Sequence, residues 1–252
     1  MSARIGSGLL LALLLGGWEL YGRLAGVPAL IVPLPSAVLD TLWHGLTSGY
    51  LLPHIAMTSA EMALGLVIGC VVGFLAGVLL AEVEGLRRLL YPYIIASQVV
   101  PKLALGPLFI IWFGFGMTST VVITALICFF PLLENTMTGL GQVDPNKREL
   151  FRMLRATRLQ TLLRLKIPAG LPVILAGVRV SVVLALVGTV VGEFIGGRTG
   201  LGASIIAAQG MMDSTMMFAL FIVITVLGML FYQAAVGVER WLLRRHWNNQ
   251  QG

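Results

Sequence analysis

Long apolar runs separated by short polar connections dominate this chain. Each run is close to the twenty or so apolar residues that an α-helix needs to cross a bilayer. The runs do not alternate apolar and polar residues as membrane β-strands do. We therefore predict an all-α, polytopic membrane protein with six transmembrane helices. The predicted spans lie near residues 7–25, 55–81, 89–113, 118–140, 170–195 and 216–238.

The composition supports the same class of protein. Hydrophobic residues make up 58% of the chain and charged residues 11%, and the mean hydropathy is +0.93, well outside the range of a soluble domain. One membrane domain uses nearly all 252 residues, which leaves no room for a soluble catalytic domain. We divide the chain into residues 1–54, with the first span and a short helix at the outer interface, and a core of residues 55–252.

Lys and Arg are distributed unevenly between the two faces of the predicted bundle. Thirteen of the 17 fall on one face, and seven of these belong to one basic segment, residues 144–168. Cytoplasmic loops carry such an excess, so both termini and the basic segment are predicted to be cytoplasmic. Topology also explains the net charge of +6, and no nucleic-acid partner is predicted.

The basic segment is predicted to contain a helix. Asp144 is a good N-cap residue and Pro145 suits the first helical position. In a continuous helix, Arg148, Arg152, Arg155 and Arg158 share one side, and Leu150, Met153, Leu154 and Thr157 share the other. Such a helix either lies on anionic lipid headgroups or binds a cytoplasmic partner, and the residues alone leave both interpretations open.

Charged residues inside the spans mark candidate functional positions, because they normally face protein or a water-filled cavity. Lys102 lies between Pro101 and Pro107 in the third span, and these prolines are expected to bend the helix. It either presents a cation to an anionic solute or neutralises an internal carboxylate. Polarity and position make Gln98 and Lys102 candidates for lining a translocation path.

Three further charges lie in the fourth and fifth spans. Glu134 and Arg179 fall at similar depth, which predicts an internal ion pair. Glu193 lies near the outer end of the fifth span, as a gate residue or an interfacial carboxylate. The histidines, His44, His54 and His246, have no metal-ligand spacing, and no metal site is predicted.

Small residues recur every three or four positions in two spans. Such stripes let helix backbones approach closely, so packing is the favoured interpretation and a path-lining face the alternative. The stripes are Gly65, Gly69, Gly73 and Gly77 in the second span, and Gly177, Ser181, Ala185, Gly188 and Gly192 in the fifth.

The basic segment resembles a known motif. Glu149, Leu154, Ala156 and Thr157, followed by IPAGLPVILAGVRV, are similar to the EAA loop of binding-protein-dependent ATP-binding-cassette (ABC) importers. The stretches PKLALGPLFIIWFGFG, FFPLLENTMTGL and GTVVGEFIGGRTGLG resemble the permease branch that handles nitrate, taurine, alkanesulfonates and pyrimidine precursors. The likeness runs from about residue 33 to the end of the chain.

This resemblance implies the permease subunit of an importer in a bacterial-type inner membrane, with a fold like that of type I importer permeases. It implies a second permease, as a homodimer of this chain or a pair with a close relative, together with two ABC ATPase subunits and an extracytoplasmic solute-binding protein. ATP and Mg would be bound by the ATPases and no cofactor by this chain, which lacks a G-x-x-x-x-G-K-[ST] phosphate loop and is predicted to be non-catalytic. The rival classes are a secondary transporter and a membrane-anchoring subunit without ATPase coupling.

The resemblance also assigns site residues. The ATPase-coupling contact would comprise Glu149, Arg152, Leu154, Arg155, Ala156, Thr157 and Arg158. Arg155 stands where the family usually has glycine, which permits a tight turn. We therefore expect a more continuous helix here, facing acidic residues of the ATPase.

Overall fold

The computed structural model describes residues 2–26 and 28–248, and nearly all of these residues are helical. The helices are α1 (Ser2–Ala25), α2 (Pro35–Thr47), α3 (Leu51–Glu82), α4 (Glu84–Val99), a 3₁₀ turn (Lys102–Leu105), α5 (Gly106–Phe113), α6 (Met117–Gly141), α7 (Pro145–Met153), α8 (Arg158–Thr161), a π-turn (Leu162–Lys166), α9 (Ile167–Gly196), α10 (Leu201–Gly210) and α11 (Ser214–Asn248). The predicted all-α class is confirmed. The division proposed at residue 54 falls in the first turns of α3.

Five helical segments of the described chain are long and apolar enough to cross a membrane. They are Gly8–Ala25, Leu51–Glu82, Met117–Gly141, Arg158–Gly196 and Ser214–Arg244. They coincide with five of the six predicted spans.

The remaining predicted span, 89–113, is not one helix. It is divided into α4, the 3₁₀ turn and α5. Pro101 has no N–H to continue the helix, and its ring forces the preceding residue into an extended conformation. Val100 has φ −63° and ψ 126° as a result. A bend was expected at the prolines, and the structure has a complete break.

The centre of the fold is α6, which packs between α3 and α9. A Cβ added to Gly69 or Gly73 would lie 2.5 Å from a backbone oxygen of α6, and one added to Gly177 would lie 2.6 Å from Asn135 Cβ. The glycine stripes therefore face α6 from both sides, and only glycine permits this approach. The favoured packing interpretation is confirmed, and the contacts lie within one subunit.

Two polar contacts fasten the periphery of the bundle. At one end, the Glu19 carboxylate of α1 accepts from Ser36 N (3.0 Å) and Ser36 Oγ (2.8 Å) at the start of α2. It thereby satisfies a backbone N–H that the first turn of a helix leaves without a partner. At the other end, Lys166 Nζ lies 2.7 Å from Glu82 Oε1, which joins the π-turn to the last residue of α3.

Candidate coupling segment and translocation pathway

The basic segment begins with the predicted cap. Asp144 precedes α7, its side chain accepts from Asn146 N at 2.8 Å, and Pro145 occupies the first turn. The carboxylate thus satisfies one of the free N–H groups at the helix start. This part of the sequence prediction is confirmed.

The expected continuous helix is wrong, because α7 ends at Met153. Ala156 N donates to Phe151 O and Arg155 N donates to Arg152 O, each at 3.0 Å. This is the hydrogen-bond pattern of a Schellman motif, whose central residue adopts a left-handed conformation. Arg155 is that residue, with φ +53°. The arginine therefore keeps the turn that the family's usual glycine favours.

A second short helix follows this turn at once. Thr157 caps α8 through a capping box, in which Gln160 N donates to Thr157 Oγ1 (3.2 Å) and Thr157 N donates to Gln160 Oε1 (2.8 Å). Arg155 and Arg158 consequently do not continue the arginine face of α7. The basic segment thus projects as two short helices in which no residue is buried.

The surface of this projection combines cations with large apolar side chains. Arg148, Arg152, Arg155 and Arg158 are exposed. So are Leu150, Met153, Leu154 and Leu159, at 53–77% of their full area. Apolar side chains this exposed beside positive charge are typical of a surface that a partner covers.

The break after α4 brings four side chains together, which we call the Lys102 patch. Lys102 Nζ lies 4.0 Å from the ring centroid of Phe130, within cation–π range. Gln98 Nε2 donates to Glu134 Oε1 at 3.3 Å. Gln98 is exposed, and Lys102 and Glu134 are half-buried. Two of the three predicted path residues, Gln98 and Lys102, thus contact side chains on one face of α6.

Glu134 and Arg179 do not form the predicted ion pair. Arg179 Nε instead lies 3.0 Å from Glu239 Oε2 on α11. The reason is the rotation of α9: Gly177 faces α6, and Arg179, two residues later, projects about 200° away. Sequence indicated similar depth for the two charges but not the direction in which each points.

Glu193, the third predicted path residue, is separate from the Lys102 patch and only 1% exposed. Its carboxylate accepts from Thr58 Oγ1 at 2.6 Å and from Gly202 N at 2.5 Å. Gly200, with φ +125°, passes so close that a Cβ there would overlap this carboxylate. Glu193 therefore joins α9 to α3 and α10, and it lines no open surface in this conformation.

Sequence reasoning missed Glu61 and His54 of α3. Glu61 is fully buried, its polar neighbour is the Glu193 carboxylate, and no donor from the described chain reaches either of its oxygens. His54 Nδ1 accepts from Gly200 N at 3.1 Å and lies 3.0 Å from Ser204 Oγ. The available signal for Glu61 was a carboxylate four residues before Gly65, in register with the glycine stripe and within an apolar run.

Metal binding finds no support in the residues that the structure describes. Among them, no group of three or more His, Cys, Asp and Glu side chains is arranged to hold a metal ion.

Comparison with known families identifies the arrangement. Residues 65–247 match the model of the binding-protein-dependent transport system inner membrane component. The chain belongs to this family. It is therefore a permease subunit of the binding-protein-dependent ABC importers, and an inner-membrane component.

Curated relatives of this permease are named for several cargoes. It is 37% identical to the riboflavin transport system permease protein RibX of Chloroflexus aurantiacus, over 93% of this chain and 87% of that protein. It is 35% identical to the formylaminopyrimidine transport permease protein ThiX of Halalkalibacterium halodurans, over 93% and 92%. It is also 35% identical to the putative aliphatic sulfonates transport permease protein SsuC of Bacillus subtilis, over 96% and 87%.

Among solved structures, the fold matches an inward-facing conformation of the MetNI methionine ABC transporter. The TM-score is 0.67 at 19% sequence identity, over 75% of this permease and 94% of the matched chain. The permease thus has the fold of a type I ABC importer permease.

Proposed function

We propose that this permease forms the translocation pathway for a small organic solute that a solute-binding protein delivers. In this proposal a second permease copy and two ABC ATPase subunits complete the assembly. The ATPases bind ATP and Mg, and the permease has no catalytic role. The distribution of Lys and Arg supports cytoplasmic positions for both termini and for the basic segment.

The basic segment is the proposed ATPase contact. The observation that carries this assignment is the exposed projection of α7 and α8, with large apolar side chains beside four arginines. A helix that lies on lipid needs one long apolar face, whereas here the turn at Arg155 divides two short helices. A projection of two short helices suits a groove in a protein better. The proposed contact residues are Glu149, Arg152, Leu154, Arg155, Ala156, Thr157 and Arg158.

The proposed pathway runs along the Lys102 patch. The chain is non-helical at Val100 and Pro101, and both residues are exposed. Phe130, beside Lys102, lies near the middle of α6, so the break is at membrane depth. Exposed non-helical backbone at this depth is not tolerated against lipid. The break therefore faces protein or a water-filled path between permease copies.

We propose a planar heterocycle with hydrogen-bonding groups as the cargo class. The riboflavin and formylaminopyrimidine relatives support this choice. The Lys102 patch offers an ammonium group next to a Gln–Glu pair one helical turn away. Donor and acceptor groups side by side suit a heterocycle with both kinds of group, whereas an alkanesulfonate offers its anion mainly to Lys102.

Residues 1–54 are proposed to be an addition to the permease core of residues 55–252. The family match starts at residue 65, and α1 makes its contacts mainly with α2.

Purification of the assembled complex tests the proposal. The tagged permease is expected to bring down an ATPase, and reconstituted vesicles are expected to take up solute only with ATP and the binding protein. Uptake driven by an ion gradient without ATP would favour a secondary transporter. A permease that purifies without an ATPase and supports no uptake would favour an anchoring subunit.

Ligand binding tests the cargo class separately. The cognate binding protein is titrated with riboflavin, formylaminopyrimidine, taurine and ethanesulfonate. We expect binding of a heterocycle and no binding of the two sulfonates. The opposite preference would overturn the cargo class and leave the importer assignment unchanged.

A further inference from the structure

The ion pair between Lys166 and Glu82 joins the end of the basic segment to the end of α3. Lys166 is the last residue of the π-turn, directly after the basic segment's second helix, and Glu82 is the last residue of α3. Their charged atoms are 2.7 Å apart. The pair therefore connects the end of the basic segment to a helix distant in sequence.

The surroundings make this contact stronger than a surface pair. The Lys166 and Glu82 side chains are 15% and 23% exposed. Ala81, beside Glu82, and Leu162 and Ile167, on either side of Lys166, contact one apolar cluster with Leu132, Leu140 and Ile174 at its centre. Solvent and salt screen a partly buried pair less than an exposed one.

The π-turn explains how Lys166 reaches α3. A π-turn holds one more residue than an α-turn, and it commonly marks a functional site inside a helix. The extra residue rotates the side chains that follow relative to those that precede. Leu165 is directed into the core at 7% exposure, and Lys166 is directed towards Glu82.

We propose that the Lys166–Glu82 ion pair is the link through which movement of the basic segment is transmitted to α3. This inference rests on the proposed ATPase contact. The π-turn continues directly into α9, so α9 follows the basic segment through the covalent chain. The end of α3 has no such continuity. Among the described residues, the ion pair and the apolar cluster connect it to the moving segment, so Lys166 and Glu82 are positioning residues.

The matched control is the ion pair of Arg88 with Glu84. Its charged atoms are 2.6 Å apart, but the side chains are 78% and 74% exposed and both residues lie on α4. It is also a pair of a basic side chain with a glutamate, two residues along the chain from Glu82, but it does not connect two elements. Its removal is expected to leave coupling unchanged.

The test measures solute transported per ATP hydrolysed by the reconstituted complex. The cargo is the compound that the binding-protein titration identifies. Lys166→Met and Glu82→Gln are expected to lower this ratio roughly 2- to 30-fold, the range for mutations that alter energetic coupling. The double variant Lys166→Glu with Glu82→Lys is expected to restore much of it, and Arg88→Met is expected to match wild type.

Several results would overturn the link. One is a wild-type ratio in both single variants, even with a lower melting temperature, because that marks a structural role only. Another is a double variant no better than the singles. If a single variant does not fold, a double variant that folds but still transports less solute per ATP would also overturn the link. Absence of ATP-driven uptake in the wild-type complex would instead overturn the proposed function, and the link with it.

Discussion

At the scale of single residues, Arg155 combines a turn that the fold needs with a side chain poorly suited to it. Its φ of +53° brings Cβ close to the following carbonyl, at a cost of about 1–2 kcal/mol for an L-residue. Glycine adopts this conformation without that cost. The retained arginine is consistent with a charge requirement in the proposed ATPase contact.

Arg155→Gly is accordingly expected to stabilise the isolated permease. Relief of the strained φ should raise the unfolding free energy by about 1 kcal/mol, which corresponds to roughly 2–4 °C in melting temperature for a chain of this size. Thermal unfolding in detergent measures the shift. Arg152→Gly, inside α7, is the control and should lower stability by about 1 kcal/mol. A lower melting temperature for Arg155→Gly would contradict the strain argument.

Two buried carboxylates are expected to respond in opposite ways. Glu193→Gln replaces one acceptor oxygen by a donor amide, so Thr58 Oγ1 or Gly202 N loses its partner, at about 1–3 kcal/mol. Glu61→Gln instead adds an amide donor beside the Glu193 carboxylate. In the described chain no donor reaches the Glu61 carboxylate, so this substitution removes no hydrogen bond.

Melting curves of the two Gln variants give the comparison. Glu193→Gln should melt at a lower temperature than wild type, and Glu61→Gln at the same temperature or higher. Equal losses in the two variants would contradict the different roles inferred from their partners.

Contacts made within a few residues of one another could be predicted from the sequence, whereas contacts between side chains of different helices could not. Asp144 followed by Pro145 predicted a cap because the contact is made within three residues. The Arg179–Glu239 pair depends on how α9 is rotated against α11. Rotation follows from the glycine stripes, since the side of α9 that bears Gly177 must face α6. The glycine stripe of α9 therefore also indicates the direction of Arg179, whereas the sequence prediction took from it only helix packing.

At the scale of helices, the glycines of α3 determine how closely it approaches α6. A methyl group on Gly69 would lie 2.5 Å from Ala125 O, so the helices must separate to accept it. Gly69→Ala should therefore lower the unfolding free energy by about 1–3 kcal/mol. Gly85→Ala, where nothing lies within 4 Å, should leave stability unchanged or raise it by up to about 1 kcal/mol. Thermal unfolding of both variants in detergent provides the measurement, and equal effects would refute the close-approach argument.

The third span shows where hydrophobic pattern alone fails. Residues 89–113 are apolar enough to predict a helix, and Pro101 and Pro107 predicted a bend. Whether a proline bends or ends a helix depends on what replaces the lost backbone hydrogen bonds. Here a 3₁₀ turn follows, with Ala104 N donating to Pro101 O at 2.8 Å, and that alternative is not visible in a hydropathy profile.

At the scale of the whole molecule, the exposed break at Val100 should contact water in the assembled transporter. Val100→Cys is expected to react with a membrane-impermeant thiol reagent, above the background from Cys70 and Cys128. Val71→Cys is the control, because Val71 is 52% exposed and projects from α3 about 200° away from Gly69, on the side opposite to α6. The extent of labelling is read by mass spectrometry. Equal labelling at the two positions would contradict a water-filled path at the break.

The lack of buried residues on α4 has a consequence for which substitutions this permease tolerates. Along α4 no side chain is buried, while α3, α6 and α9 touch almost backbone to backbone. Substitutions on α4 can therefore alter the chemistry presented to a passing molecule without disturbing the scaffold. New cargo preferences can arise there first, while the central three helices stay intolerant of change.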